Sequence, residues 1–213
     1  MRRYSLMFFL TMFLIGTDTF LISPLLPTLA RMYGVSTSIS GWMVSAYAIG
    51  YACFALLSGP ISDGRNRKKV MIWGLLAFSM STFLCGFSYT FPAMLFFRFL
   101  AGVSASFVTP QVWASIPVIV DKKHIVKVMG YATAGLSVSQ LVGIPIGSYL
   151  AVNSWHTPFF VISGAALILL ISNAIALPEL EFGHKFKTSF FKTYTSVLHN
   201  SKALNYLFAY LIF

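Results

Sequence analysis

The chain has 213 residues, of which 57% are hydrophobic and only 9% are charged, and its mean hydropathy is +0.79. Soluble domains carry about 25% charged residues, so this composition excludes an ordinary soluble domain and predicts a protein embedded in a membrane. Lysine and arginine outnumber aspartate and glutamate by 15 to 5. These basic residues are scattered over short segments instead of being gathered with aromatic residues on one surface, which argues against a nucleic-acid partner.

Six apolar runs are long enough to cross a membrane, whose hydrocarbon core of about 30 Å needs roughly 20 helical residues. A seventh run begins at Ala203 and offers roughly ten residues, too few to cross. The sequence therefore predicts an all-α membrane protein with a six-helix domain at 1–177, a cytoplasmic inter-domain loop at 178–202 and the start of a truncated seventh helix at 203–213. The six runs are 6–29, 39–61, 70–87, 91–120, 126–152 and 159–177.

Basic residues mark one side of the membrane. Arg31 is the one basic residue predicted on the other side, and Arg98 lies inside the fourth run. Because basic residues in short connections stay in the cytoplasm, the sequence predicts a cytoplasmic N-terminus in a plasma (inner) membrane. The remaining basic residues precede the first run or follow the second, fourth and sixth: Arg2, Arg3, Arg65, Arg67, Lys68, Lys69, Lys122, Lys123, Lys127, Lys185, Lys187, Lys192 and Lys202.

The first run contains Asp18, the only acidic residue within any predicted span. A charged side chain at the bilayer centre costs about 2.5 to 3.5 kcal/mol on insertion scales, so it usually faces a partner or a cavity. Asp18 and Arg98 of the fourth run differ in depth by roughly 5 Å or less, at 1.5 Å per residue. We expect them to be coupled. Alternatively, Arg98 extends to the membrane surface and Asp18 bonds to nearby backbone.

The connection after the second run reads Gly59-Pro-Ile-Ser-Asp63-Gly-Arg-Asn-Arg67-Lys68-Lys. Glycine permits close helix approach and an aspartate at a helix end can pair with cations, which predicts a clasp that holds one conformation. The alternative is a basic turn that only sets topology. The segment resembles the G-x-L-a-D-r-x-G-r-k loop of the major facilitator superfamily, which implies a role in conformational change for Gly59, Asp63, Arg67 and Lys68. Asn66 replaces a glycine of that pattern and is expected to preserve a left-handed turn.

Two further motifs carry the resemblance. In the fourth run, Arg98-Phe-Leu-Ala-Gly102 is similar to the R-x-x-q-G pattern of the family. In the fifth run, a glycine-proline series resembles the helix-5 motif of proton-coupled antiporters, in a variant seen in drug and metabolite exporters such as arabinose and purine efflux permeases. A plain helix-packing seam is the alternative. The series consists of Gly135, Gly143, Pro145 and Gly147.

The first and fourth runs contain similar short segments, Phe20-Leu-Ile-Ser-Pro24 in the first and Phe107-Val-Thr-Pro110 in the fourth. Such a similarity is expected of an inverted three-plus-three helix repeat. Aromatic and amide side chains in the spans suit a cavity for mixed apolar and polar substrates, although aromatic residues also face lipid. The candidate cavity residues are Tyr47, Tyr51, Gln111, Trp113 and Gln140.

The resemblance covers nearly the whole chain and implies the N-terminal half of a drug/metabolite:proton antiporter, with Asp18 accepting the proton and Arg98 stabilising the carboxylate. The implied partners are a small-molecule substrate, protons, the bilayer and either a missing C-terminal six-helix half or a second copy. No cofactor, metal or catalytic site is predicted, because the spans hold no arrangement typical of an enzyme. Because 213 residues hold only half of such a transporter, the alternative is a transport-inactive fragment or a membrane-embedded interaction subunit.

Overall fold

The computed structural model describes residues 2–62 and 65–179, and this part of the chain is helical, without strands. The helices are α1 (Arg2–Tyr33), α2 (Thr37–Ser40), α3 (Trp42–Ser62), α4 (Arg67–Cys85), α5 (Phe91–Ile119), α6 (Ile125–Leu150) and α7 (Thr157–Ala176). A short 3₁₀ turn, Lys122–His124, precedes α6.

The described residues contain six helical segments long and apolar enough to cross a membrane, with α2 and α3 together forming the second. The six predicted spans are therefore confirmed, with ends displaced by a few residues. The division into a domain, a loop and a seventh helix stays a prediction, since residues 180–213 lie outside the described part of the chain.

The helix ends follow local chemistry. Asn66 caps α4, its side-chain oxygen accepting hydrogen bonds from the backbone N–H groups of Lys68 at 3.0 Å and Lys69 at 3.4 Å. Its φ of −65° and ψ of 108° are extended, so the expected left-handed turn at this asparagine is wrong. An asparagine at a helix start supplies a missing acceptor for the first amides, which explains its conformation. Within the described residues, positive φ occurs only at Gly34, where α1 ends.

Helix pairing follows an internal twofold relation. The first repeat comprises α1, α2–α3 and α4, and the second comprises α5, α6 and α7. Contacts between α1 and α6 correspond to those between α5 and α3, and the contact of α1 with α7 corresponds to that of α5 with α4. This pattern is the one that an inverted three-plus-three repeat produces.

The helices α4 and α7 are the third helices of the two repeats, so the twofold relation exchanges them and maps their contact onto itself. The Ser79 hydroxyl donates to the backbone oxygen of Ser163 at 3.0 Å, and the Ser163 hydroxyl donates to the backbone oxygen of Ser79 at 2.9 Å. Both side chains are buried. The two serines thus join the repeats through reciprocal hydrogen bonds.

Glycines allow the paired helices to approach at backbone distance. Gly16 of α1 faces Ser139 of α6, and Gly102 of α5 faces the carbonyl oxygen of Tyr47 in α3; a Cβ at either glycine would overlap these atoms. Both glycines precede a proline by eight residues, Pro24 and Pro110 respectively. The spacing therefore places equivalent contacts in the two repeats.

The fifth-span glycines form a seam along α1. A Cβ at Gly135 would overlap the carbonyl oxygen of Phe9, and one at Gly143 would lie 3.4 Å from the Cα of Thr17. A Cβ at Gly147 would lie 3.2 Å from the carbonyl oxygen of Leu21. Pro145, between them, lies on an exposed part of α6. Gly135 and Gly147 therefore limit the distance between α1 and α6, whereas the space at Gly143 would admit a Cβ at ordinary contact distance.

We expect Gly135→Ala to lower the free energy of unfolding by roughly 1–3 kcal/mol, because the added methyl group meets rigid backbone of α1. Gly130→Ala is the matched control, since Gly130 lies in the same helix with open space around it. Alanine favours helix over glycine, so this control should leave stability unchanged or slightly raised. Thermal unfolding of the purified variants in detergent measures both. Equal stability of the two variants would contradict a tight α1–α6 seam.

Candidate functional site

A buried ion pair lies in the bundle interior between α1 and α5. A terminal nitrogen of Arg98, Nη1, lies 2.9 Å from Asp18 Oδ2, and both side chains are fully buried. The same nitrogen lies 3.5 Å from the Asp18 carbonyl oxygen. Arg98 therefore points into the bundle, and a carboxylate and a guanidinium meet at a depth where neither contacts water.

Tyr47 of α3 covers the arginine. The guanidinium carbon of Arg98 lies 4.5 Å from the centroid of the tyrosine ring, a cation–π distance. Gly102, one turn after Arg98 on the same face of α5, admits the backbone of α3 at Tyr47. The Arg98-x-x-x-Gly102 spacing therefore brings the ring over the charge.

The pair is incompletely hydrogen-bonded. Asp18 Oδ1 and the Nε and Nη2 atoms of Arg98 are buried and have no hydrogen-bond partner within the described residues. Burying charge is costly unless its hydrogen-bonding groups are satisfied, so this site is a place of high electrostatic energy.

The candidate cavity residues are distributed unevenly. Tyr47 is only 4% exposed and packs on Arg98, so the structure places it in the α3–α5 interface instead of on an open cavity. Gln111 is also buried, and its Oε1 has no partner within the described residues. Tyr51 and Trp113 are half-buried, whereas Gln140 is exposed on α6. The five side chains therefore range from buried, at Tyr47 and Gln111, to exposed, at Gln140.

A second buried polar contact, between α1 and α7, was not anticipated from the sequence. The Asn173 amide nitrogen lies 3.4 Å from the Thr11 hydroxyl oxygen and donates to the Leu169 carbonyl oxygen at 2.8 Å. Asn173 Oδ1 has no partner in the described part of the chain. Thr11 precedes Asp18 by seven residues, or two helical turns on the same face. The asparagine, a polar residue within a strongly apolar run, was the signal that could have revealed this contact.

The conformational-loop candidates occupy the end of α3 and the first turn of α4. Lys68 Nζ lies 3.8 Å from Glu179 Oε1, and the Asn66 amide donates to the other Glu179 oxygen. Glu179 follows α7, so these contacts link the beginning of α4 to the chain leaving the bundle. Arg67 is half-buried beside them, while Asp63 lies outside the described residues.

Gly59 does not serve the close approach that its residue type suggested. A Cβ at this position would meet no atom of the described chain within 4 Å. Close glycine contacts occur at other positions, among them Gly16, Gly102 and Gly135.

The sequence profile of the Major Facilitator Superfamily matches residues 8–213. The chain belongs to the major facilitator superfamily. Among its relatives in this superfamily, the uncharacterized MFS-type transporter YceJ of Bacillus subtilis is 56% identical over 208 residues, which are 97% of this chain and 53% of that protein. Multidrug resistance protein 2 of the same organism is 35% identical over 75% of this chain and 40% of that protein. Quinolone resistance protein NorA of Staphylococcus aureus is 25% identical over 84% of this chain and 46% of that protein.

Solved structures support the major facilitator fold. A bacterial homologue of the human lysosomal transporter Spinster, in an inward-facing and occupied conformation, superposes with a TM-score of 0.75 and 17% identity, over 91% of this chain and 48% of that one. A D-xylose–proton symporter gives a TM-score of 0.73 at 17% identity, over 92% and 52% of the two chains. The chain spans about half the length of the relatives it matches, and its six helices correspond to one half of a major facilitator transporter.

We expect Asp18→Asn and Arg98→Met, each alone, to lower the free energy of unfolding by about 3–5 kcal/mol, because each leaves the other charge buried and unpaired. The double variant should lose less free energy of unfolding than the two single variants lose together, since it leaves no isolated charge. Thermal unfolding of the four proteins forms a double-mutant cycle. Additive losses would show that the two groups do not interact.

Proposed function

We propose that the chain forms the six-helix N-terminal domain of a secondary active transporter that exports a small molecule in exchange for protons by alternating access. The observation that carries this proposal is the fully buried Asp18–Arg98 pair. Intramembrane charges that pair within a bundle are typical of ion and substrate pathways in transporters.

The proposed proton step uses Asp18 and Arg98 alone. When a proton binds a carboxylate oxygen of Asp18, the carboxylate loses its charge and its attraction to the guanidinium. Direct contacts between α1 and α5 are few, so this pair is a principal polar link between the helices that begin the two repeats. Protonation therefore weakens the direct contact between α1 and α5 inside the domain, and deprotonation restores the pair. Such a bistable contact allows proton binding to bias the conformation of the domain.

Drug-like molecules are the proposed substrate class, and the relatives support this choice. Two of them are named for multidrug resistance and for quinolone resistance. In this chain Tyr51, Gln111, Trp113 and Gln140 supply the aromatic and amide groups that a cavity for such molecules uses. The unpartnered Gln111 Oε1 and the exposed Gln140 on a membrane-spanning helix support this role.

Two segments are proposed to serve the conformational change. The Gly59–Asp63–Arg67–Lys68 loop would clasp one conformation, supported by the contacts of Asn66 and Lys68 with Glu179. The glycine seam of α6, with its adjoining Pro145, would form a tight hinge or seal beside α1, supported by the backbone contacts of its glycines.

A second six-helix domain is proposed to complete the transport path. Of the six spans, those formed by α2–α3 and by α6 are the least enclosed by the rest of the described chain, so they offer faces for that domain. It would be supplied by a C-terminal half or by a second copy of the chain. We further propose that the bundle lies in the plasma membrane with its N-terminus in the cytoplasm, because Arg2 and Arg3 begin α1 and further cations begin α4 and α6.

The alternative proposal is a transport-inactive fragment or an interaction subunit of the membrane. The experiment below tests it beside the transporter proposal.

We expect a chimera of this chain with the second half of YceJ to export a fluoroquinolone or a cationic dye from cells and to lose export when a protonophore is added. Asp18→Asn should abolish export driven by the pH gradient, since its amide cannot exchange a proton. Asp121→Asn, which changes an exposed carboxylate that caps nothing, is the matched control and should export normally. Transport by everted vesicles under an imposed pH gradient measures each rate.

Three outcomes distinguish the proposals. Normal gradient-driven export by Asp18→Asn would exclude this residue as the proton site. Export by the chain without the YceJ half would show a half-transporter acting as an oligomer. Export by neither the chain nor the chimera, with both folded, would favour the interaction subunit.

A further inference from the structure

A groove of about 640 Å³ lies between the first turns of α1 and α6, apart from the Asp18–Arg98 site. It is lined at the helix ends by two exposed cations, Arg2 of α1 and Lys127 of α6. Tyr131 follows Lys127 by one turn. Phe9 is partly buried and Val128 almost fully buried, so the inner lining is apolar. None of the roles proposed above uses this groove.

The groove carries uncompensated positive charge. Across the described ranges, no ion pair or hydrogen bond involves the side chains of Arg2 or Lys127. Neither α1 nor α6 has an acidic residue in its first turn. The carboxylate of Asp121, four residues before α6, belongs to a separate small pocket beside Tyr4 and does not line the groove. Two cations and two helix N-termini therefore converge where an anion would be stabilised.

The polarity of the groove changes with depth. Leu6 lies one turn beyond Arg2 and is 58% exposed. On α6, Val138 and Leu141 continue the face of Lys127 and Tyr131, and Leu141 is 80% exposed. At 1.5 Å per residue this face extends roughly 21 Å from Lys127 to Leu141, enough to follow an acyl chain through one leaflet. The groove thus presents positive charge at the helix ends, an aromatic hydroxyl one turn deeper and then apolar surface. This order matches the phosphate, the polar linkage and the acyl chains of a phospholipid.

We propose that this groove binds one anionic phospholipid. Arg2 and Lys127 hold the phosphate, Tyr131 lies at the level of the polar linkage, and the acyl chains follow Leu6 and the side of α6 that carries Val138 and Leu141. The side of α6 that carries Gln140 is a different one and is left for the second domain. A soluble phosphate would need the cations but not the apolar surface, and an apolar segment of a second domain would leave both cations uncompensated. The lipid satisfies both requirements, and its attraction to basic residues at the membrane surface is a general property of anionic lipids.

The test compares two charge-matched double variants of the full chain. Arg2→Gln with Lys127→Gln removes the two groove cations, whereas Arg3→Gln with Lys122→Gln removes two exposed neighbours that do not line the groove. Native mass spectrometry from mixed micelles of phosphatidylglycerol and phosphatidylcholine counts the lipids that remain bound. We expect one retained phosphatidylglycerol on the unchanged chain and on the control variant, with occupancy falling roughly tenfold or more in the groove variant.

Each other result would overturn the proposal. Equal losses in the two double variants would indicate a diffuse surface attraction, and equal retention of phosphatidylcholine would remove the requirement for an anion. Displacement of the lipid by an equal concentration of soluble glycerol phosphate would indicate an anion site without an acyl-chain requirement. Retention by a Leu6→Asp, Leu141→Asp variant would show that the apolar face plays no part. Circular dichroism of every variant in lipid-free detergent verifies folding, and the result does not depend on transport activity.

Discussion

The structure depends on keeping one buried pair of opposite charges together. Asp18 and Arg98 lie where an isolated ion would be strongly destabilised, so each is tolerated only because the other is 2.9 Å away. This requirement fixes the relative height of α1 and α5. Tyr47 of α3 offsets part of the cost of burying the guanidinium through the face of its ring, and Gly102 lets α3 come close enough for that contact. Packing and electrostatics are thus parts of one arrangement.

Close backbone contact at glycines is the second constraint. In a lipid environment helices gain little from burying apolar side chains against one another, so association relies on tight packing and on hydrogen bonds. The α1–α6 seam and the α3–α5 contact use glycine for this purpose, whereas α4 and α7 use the paired hydroxyls of Ser79 and Ser163. At these contacts the paired helices are therefore joined by glycine and serine and not by large side chains.

Much of the fold was predictable because hydropathy acts over whole segments. About 20 apolar residues identify a span whatever its neighbours are, and the cost of intramembrane charge drew attention to Asp18 and Arg98. Contacts that depend on local geometry were harder to predict. Asn66 was expected in a left-handed turn and instead caps α4, because a sequence pattern does not say whether the chain turns or begins a helix there. Tyr47 was expected to line a cavity, and its burial depends on the helix pairing, which no single span encodes.

The reciprocal bonds between Ser79 and Ser163 have a consequence for the relation between the two repeats. A contact that a twofold relation maps onto itself is isologous, in the sense used for symmetric dimers: each partner presents the same group and receives the same bond. Two three-helix units with opposite orientations in the membrane could associate through this surface without any prior specialisation of either. The α4–α7 contact is therefore symmetric between the two repeats. The pair of Asp18 and Arg98 is asymmetric, because one repeat supplies the carboxylate and the other supplies the guanidinium.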